Sequence, residues 1–141
     1  MASSRVETQI TWSAASSITV SSATVVWSDT LLFNAEDWDG ELQVNADNSG
    51  TAASGDVCTV YVAYTTGDIL GDSGNDFASP EHAEFLMQLD TFPTNAPGED
   101  PANRTAPIRT GATGFKVGLS CPQAATRNIV ARARLVTHRA Q

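Results

Sequence analysis

The stretch Arg127-Asn128-Ile129-Val130-Ala131-Arg132-Ala133-Arg134-Leu135-Val136 carries the reading that decides the fold class. Ile129, Ala131, Ala133 and Leu135 share one face, while Arg132 and Arg134 share the other. A period of two with one apolar side is the pattern of a half-buried antiparallel strand. Upstream, Gly114 to Ser120 repeats it, with Phe115, Val117 and Leu119 opposite Lys116 and Ser120. Glu41 to Ala46 alternates as well, turning Leu42, Val44 and Ala46 inward. Val57 to Thr65 is apolar on both faces and reads as a central strand. Thr24 to Phe33 is a second long segment expected to be buried on both faces. Ala83 to Asp90, with Phe85, Met87 and Leu89 on one side, is expected as a strand, with a start as a helical turn after Pro80 as the alternative.

Turn residues separate these segments. Asp37-Trp38-Asp39-Gly40 precedes one strand, and Asn45 to Gly50 follows it with side chains that cap turns and a glycine free to take positive φ. Gly67 to Ser79 reads as a long polar loop, and Phe92 to Pro107, with its four prolines, as a longer one. About eight short strands with turns between them predict an all-β, single-domain antiparallel sandwich or barrel. Val6 to Trp12 and Ser17 to Val20 are weaker, so residues 1–23 are expected to form an arm or weak edge strands beside a domain over 24–141.

At 141 residues the chain suits one domain with its own core. No apolar run reaches the roughly 20 residues of a spanning helix, and no membrane association is expected. Met1-Ala2-Ser3-Ser4-Arg5 lacks the basic and apolar regions of a secretory signal, so synthesis without export is expected if the chain starts there. Cys58 and Cys121 are too few for a disulfide framework; buried free thiols are expected, with a single bridge between facing strands as the alternative.

The formal net charge of −8 is divided unevenly. Positions 1–100 hold all sixteen acids and only Arg5, a net of −15, whereas positions 101–141 hold seven bases and no acid, +7. The split predicts attraction between the last third and the rest, within one chain or between subunits. In the second case Arg104, Arg109, Arg132 and Arg134 are contact candidates. Nucleic acid is not an expected partner, because the basic stretch lacks interleaved aromatics and the remaining surface repels phosphate.

No constellation points to catalysis. Asp68, Asp72, Asn75 and Asp76 among Gly67, Gly71 and Gly74 supply oxygen ligands of the kind Ca²⁺ takes, yet without EF-hand spacing or a closing Glu. They remain candidates beside the reading of a solvated loop. Glu36, Asp37, Asp39 and Glu41 around Trp38 fit an ordinary turn equally. His82 and His138 are too few for a zinc centre. Cys58 with His82 is a poor nucleophile pair because Cys58 falls in a buried strand. No cofactor and no enzymatic activity are expected. Trp12 and Trp27 lie in apolar strands and read as core, which leaves Trp38 as the exposed aromatic contact.

The phrases Glu36 to Asn48 (EDWDGELQVNADN), Ala53 to Asp56 (ASGD), Phe85 to Thr91 (FLMQLDT), Gly98 to Ile108 (GEDPANRTAPI), Gly114 to Ser120 (GFKVGLS) and Asn128 to Leu135 (NIVARARL) together resemble small virion structural proteins of tailed bacteriophages, of the kind that decorate or cement the capsid exterior. The resemblance spans about residues 36–136 and rests on strand and turn phrases, not on catalytic signatures. It implies a jelly-roll-like sandwich, assembly as homotrimers or homodimers, the major capsid protein as partner, and a place on the virion exterior after assembly in the host cytoplasm. Many copies on one shell need only modest contacts each. Ile69, Leu70, Phe77 and Phe92, apolar residues in loops, are expected as docking anchors or as cover for the sandwich. A carbohydrate- or receptor-binding module of a tail fibre or baseplate is the alternative, with Trp38 at its contact surface.

Overall fold

The computed structural model describes residues 3–20, 23–48, 55–78, 83–91, 102–121 and 129–140. Ten strands run in chain order: β1 (Ser3–Gln9), β2 (Ile18–Val20), β3 (Val26–Trp27), β4 (Leu31–Leu32), β5 (Asp37–Asn48), β6 (Val57–Thr65), β7 (Glu84–Asp90), β8 (Ala102–Ile108), β9 (Gly114–Ser120) and β10 (Ile129–Ala140). The front sheet has the order β1-β10-β5-β8, with β2 also on β10; the back sheet has the order β3-β9-β6-β7, with β4 also on β9. Every pairing is antiparallel. With β3 and β4 taken as one interrupted strand and β2 set aside, each connection among the eight remaining strands crosses between the sheets except that from β6 to β7, which is jelly-roll wiring.

The alternation in β10 holds as expected: Ile129, Ala131, Ala133 and Leu135 are buried and Arg132 and Arg134 exposed. They meet Leu42 and Val44 of the front sheet and Val60, Val62, Met87, Phe115, Val117 and Leu119 of the back sheet in one core. Side chains from two inner faces fill the roughly 10 Å between stacked sheets. β6 and β9 occupy the middle of the back sheet, and most residues on both faces of each are buried. β9 reads in sequence as half-exposed, but Gly118 lies flat under Trp27 and Val25, where an added Cβ would come within 2.8 Å and 2.6 Å of them.

Three expectations need correction. Thr24 to Phe33 is not one long strand, because Ser28 N–H still donates to the Val117 carbonyl of β9 but Asp29 N–H turns away to the Thr11 carbonyl (2.8 Å), which separates β3 from β4. The Asp29 carboxylate accepts hydrogen bonds from the Ser13 and Ala14 N–H groups (3.0 and 2.8 Å) and from the Thr11 hydroxyl (2.7 Å), which ties the β1–β2 turn to this break. Those bonds, Ala14 first, hold its pKa below the ordinary carboxylate range. Second, the proline-rich stretch read as loop to Pro107 contains β8, an edge strand paired with β5 from Ala102 to Ile108. An edge tolerates Pro107 because a strand there needs its N–H groups on one side only. Third, Phe85 does not share the buried face of Met87 and Leu89. The β6–β7 register shifts between Val60 and Tyr61, Leu86 becomes the extra residue, and Phe85 turns outward. It is 61% exposed, edge-on to Tyr61 at 6.4 Å.

Candidate functional site

Two exposed regions bring the sequence candidates together. The first is the loop between β6 and β7, from Gly67 to Ala78. Its base closes where Asp76 N–H donates to the Gly67 carbonyl (2.8 Å), and Phe77 pairs with Thr65 in an isolated bridge. Asp76 Oδ2 accepts from the Ile69 and Leu70 N–H groups (2.6 and 2.9 Å). The Asp68 carboxylate accepts from Gly71, Asp72 and Ser73 (2.7, 3.1 and 2.8 Å). Gly67, Gly71 and Ser73 take positive φ, which bends the chain around these carboxylates. Backbone hydrogen bonds, that from Ser73 foremost, hold the Asp68 pKa below its ordinary value.

This wiring corrects the cation reading. The oxygens of Asp68 and Asp76 are engaged as staples for backbone N–H groups, and Asp72 Oδ1 accepts from Gly74 (3.1 Å). Among the described residues no group of three or more His, Cys, Asp or Glu, Asp68, Asp72 and Asp76 included, could hold a metal ion. The staples instead fix a tip that projects Ile69 and Leu70 into solvent, 76% and 78% exposed. Phe77 behaves differently: it is half-buried, with Lys116 Nζ 4.3 Å from its ring centre, and anchors the loop to the sandwich. Phe92 and His82 lie outside the described residues.

The second region is the outer face of the front sheet. Without interruption, the alternation of β5 would place Trp38 on the inner side with Gly40 and Leu42. The register with β10 shifts, however: Thr137 pairs with Gly40 and His138 with Trp38, leaving Asp39 as the extra residue at φ 58°. Asp tolerates this left-handed conformation better than most residues, and one extra residue reverses the facing of the next. Trp38 consequently emerges half-exposed against His138, with ring centres 5.2 Å apart. Asp39 Oδ2 lies 3.5 Å from His138 Nδ1. Farther along the same face, Gln9, Gln43, Asn45, Asn103, Arg132 and Arg134 line a shallow groove of about 380 Å³. Asn45 Nδ2 donates to Asn103 Oδ1 (3.0 Å) and Gln9 Nε2 to the Ala133 carbonyl (2.9 Å), which pre-orders these amides.

The divided charge is used largely inside the chain. Arg109 grips Glu84 through both guanidinium nitrogens and lies over the Tyr64 ring, whose hydroxyl accepts from Arg109 N–H (3.0 Å). Arg109 holds the Glu84 pKa down. Arg139 Nε donates to Asp37 Oδ1 (2.7 Å), and Arg134 lies 3.8 Å from Glu7. Arg104 Nη1 donates to the Gln88 carbonyl (2.9 Å), so Arg104 and Arg109 both lace β8 to β7 across one open side of the sandwich. Among the described residues Arg132 stands without an ion-pair partner.

Cys58 and Cys121 are free and buried, and the neighbouring Cys121 thiol together with burial pushes the Cys58 thiol well above its ordinary pKa. A protonated, enclosed thiol is a poor nucleophile. Among the described residues no helix is long and apolar enough to cross a membrane. Sequence reasoning found Trp38, Ile69 and Leu70, but it missed Phe85, whose exposure depends on a bulge.

No family model and no curated protein matches the chain. Among solved structures, it is similar to the Clostridium thermocellum N-terminal endo-1,4-β-D-xylanase 10B, CBM22-1 and GH10 modules, complexed with xylohexaose. The identity is 11% and the TM-score 0.46, over 97% of this chain and 25% of that one. The chain thus spans about a quarter of the length of that protein.

Proposed function

We propose that the chain is a non-catalytic structural protein of a tailed-phage virion, a decoration or cement protein that docks on the outer face of the major capsid protein shell as a homo-oligomer. The observation that carries this reading is the β6–β7 loop. Two adjacent aliphatic side chains stand in solvent on a backbone held by five hydrogen bonds to the Asp68 and Asp76 carboxylates. A fixed loop loses little conformational entropy on docking, so apolar anchors there contribute nearly their full burial to binding. The sequence phrases that resemble such virion proteins contain β5, β8 and β9 entire and parts of β7 and β10. Assembly takes place in the host cytoplasm in this reading, and the mature location is the capsid exterior.

The test is co-sedimentation of the purified chain with capsid shells lacking it. Ile69→Ser combined with Leu70→Ser should weaken binding by a factor of roughly 10 or more while leaving the thermal midpoint within a few degrees, because both side chains are exposed. A wild-type chain that never sediments with shells would refute the reading.

A second reading, a carbohydrate- or receptor-binding module, is favoured by the amide-lined groove and the outward Trp38 on the same face. Glycan binding lost on Trp38→Ala, with shell binding absent, would select it.

A further inference from the structure

We propose that Cys58 and Cys121 form a reversible cross-strand disulfide, giving the sandwich a dithiol state and a covalently latched state. The register of β6 and β9 runs without a shift from Thr65↔Gly114 to Thr59↔Ser120, and one further step sets Cys58 opposite Cys121. Which kind of antiparallel pair they make follows from the backbone. Val117 turns both polar groups to the β3 side: its N–H donates to Ser28 Oγ (2.9 Å) and its carbonyl accepts from Ser28 N–H (2.8 Å). Backbone direction alternates along a strand, so Leu119 and Cys121 also face away from β6. On the other strand, the Asp56 carbonyl accepts from Thr91 N–H (3.0 Å), on the β7 side. Two residues on, Cys58 points its backbone the same way.

Cys58 and Cys121 are therefore a non-hydrogen-bonded pair, the kind whose Cα atoms stand about 4.5 Å apart with side chains closest. That separation falls within the roughly 4.4–6.8 Å that a disulfide spans. Both side chains point into the core and are fully buried. The pair sits at the end of the β6–β9 ladder, where local opening is least costly. In the closed state the thiols are inert, so exchange proceeds through such opening.

The oxidant is a small-molecule disulfide such as oxidised glutathione. One protein thiolate attacks its S–S bond, forming a mixed disulfide and releasing one glutathione thiolate. The second protein thiolate attacks the protein sulfur of the mixed disulfide, closing Cys58–Cys121 and releasing the second. The protein dithiol is oxidised by two electrons and the glutathione disulfide is reduced to two thiols. A chain folded in a reducing compartment and carried into an oxidising one would pass from the first state to the second.

The full-length chain is equilibrated in one mixed reduced and oxidised glutathione buffer, folded in one arm and unfolded in urea in the other. After acid quenching, the Cys58–Cys121 linked peptide is quantified by mass spectrometry. Contact between the thiols in the fold predicts an equilibrium constant for the disulfide at least ~10-fold higher in the folded arm, since random closure of a long loop is entropically costly. The thermal midpoint of the oxidised form should rise on the order of 10 °C and return on reduction. A folded-arm constant equal to or below that of the unfolded chain would overturn the proposal. Cys58→Ser should leave Cys121 able to form only a mixed disulfide with glutathione; the two-arm comparison stands without that variant.

Discussion

Gly118 offers a perturbation in which two physical terms oppose each other and the structure decides the sign. A glycine in a strand interior is unfavourable by roughly 0.5–1 kcal/mol relative to alanine, from backbone entropy alone. Gly118→Ala should then stabilise the protein if space were open. The added Cβ would instead stand 2.6 Å from Val25 Cγ1 and 2.8 and 2.9 Å from Cζ3 and Cη2 of the Trp27 ring. Overpacking of this kind costs about 1–3 kcal/mol, so the net expectation is a loss of about 1–2 kcal/mol. For a chain of this size that lowers the thermal midpoint by roughly 3–8 °C. Gly111 is the control: nothing lies within 4 Å of its Cβ position, so Gly111→Ala should be neutral or slightly stabilising. Thermal and urea unfolding of both variants measure the difference. A Gly118→Ala midpoint at or above that of the wild type would refute the packing of β3 across β9.

Two further perturbations address the exposed regions. Asp39 sits at φ 58° in the bulge, so Asp39→Gly should leave stability unchanged or higher, whereas Asp39→Val should lower it by about 1–2 kcal/mol in urea unfolding. The Asp68 pKa is depressed in the fold, so its staple is fully present above the unfolded carboxylate pKa of about 4 and is lost as pH falls through the folded value. Amide protection factors at Gly71, Asp72 and Ser73, taken against the intrinsic rate at each pH, should fall over that acidic window, and at neutral pH in Asp68→Ala; unchanged protection in the variant would argue against the staple.

The strands that read clearly from sequence are those whose two faces meet different surroundings. Ile129 to Leu135 alternates because one side of β10 meets the core and the other meets water, and that contrast is written into consecutive residues. Val57 to Thr65 carries apolar residues on both faces because most of β6 is buried on both. The interruption at Ser28 and Asp29 was less legible, since it depends on N–H groups from the distant Ser13 and Ala14 turn. β8 was hidden by the prolines before it and by Pro107 within it, which mark a loop locally; Pro107 is tolerated because the strand lies at an edge.

The candidate surfaces divide in the same way. That the loop from Gly67 is polar, glycine-rich and tipped by Ile69 and Leu70 is a property of the sequence alone. That its carboxylates bind backbone N–H groups instead of converging on a cation is a matter of which way each points, and this the fold decides. Trp38 and Phe85 make the contrast sharpest. Period-two alternation puts Phe85 on the buried side, and a bulge turns it out; the flanking acids mark Trp38 as exposed, but its place on the sheet face beside His138 also depends on a bulge. A bulge belongs to the register between two strands and not to either strand, so no reading of one segment contains it. All-β architecture, the apolar faces of the central strands and the exposure of Trp38 were determined by the sequence; that Phe85 meets solvent was decided only when the strands paired.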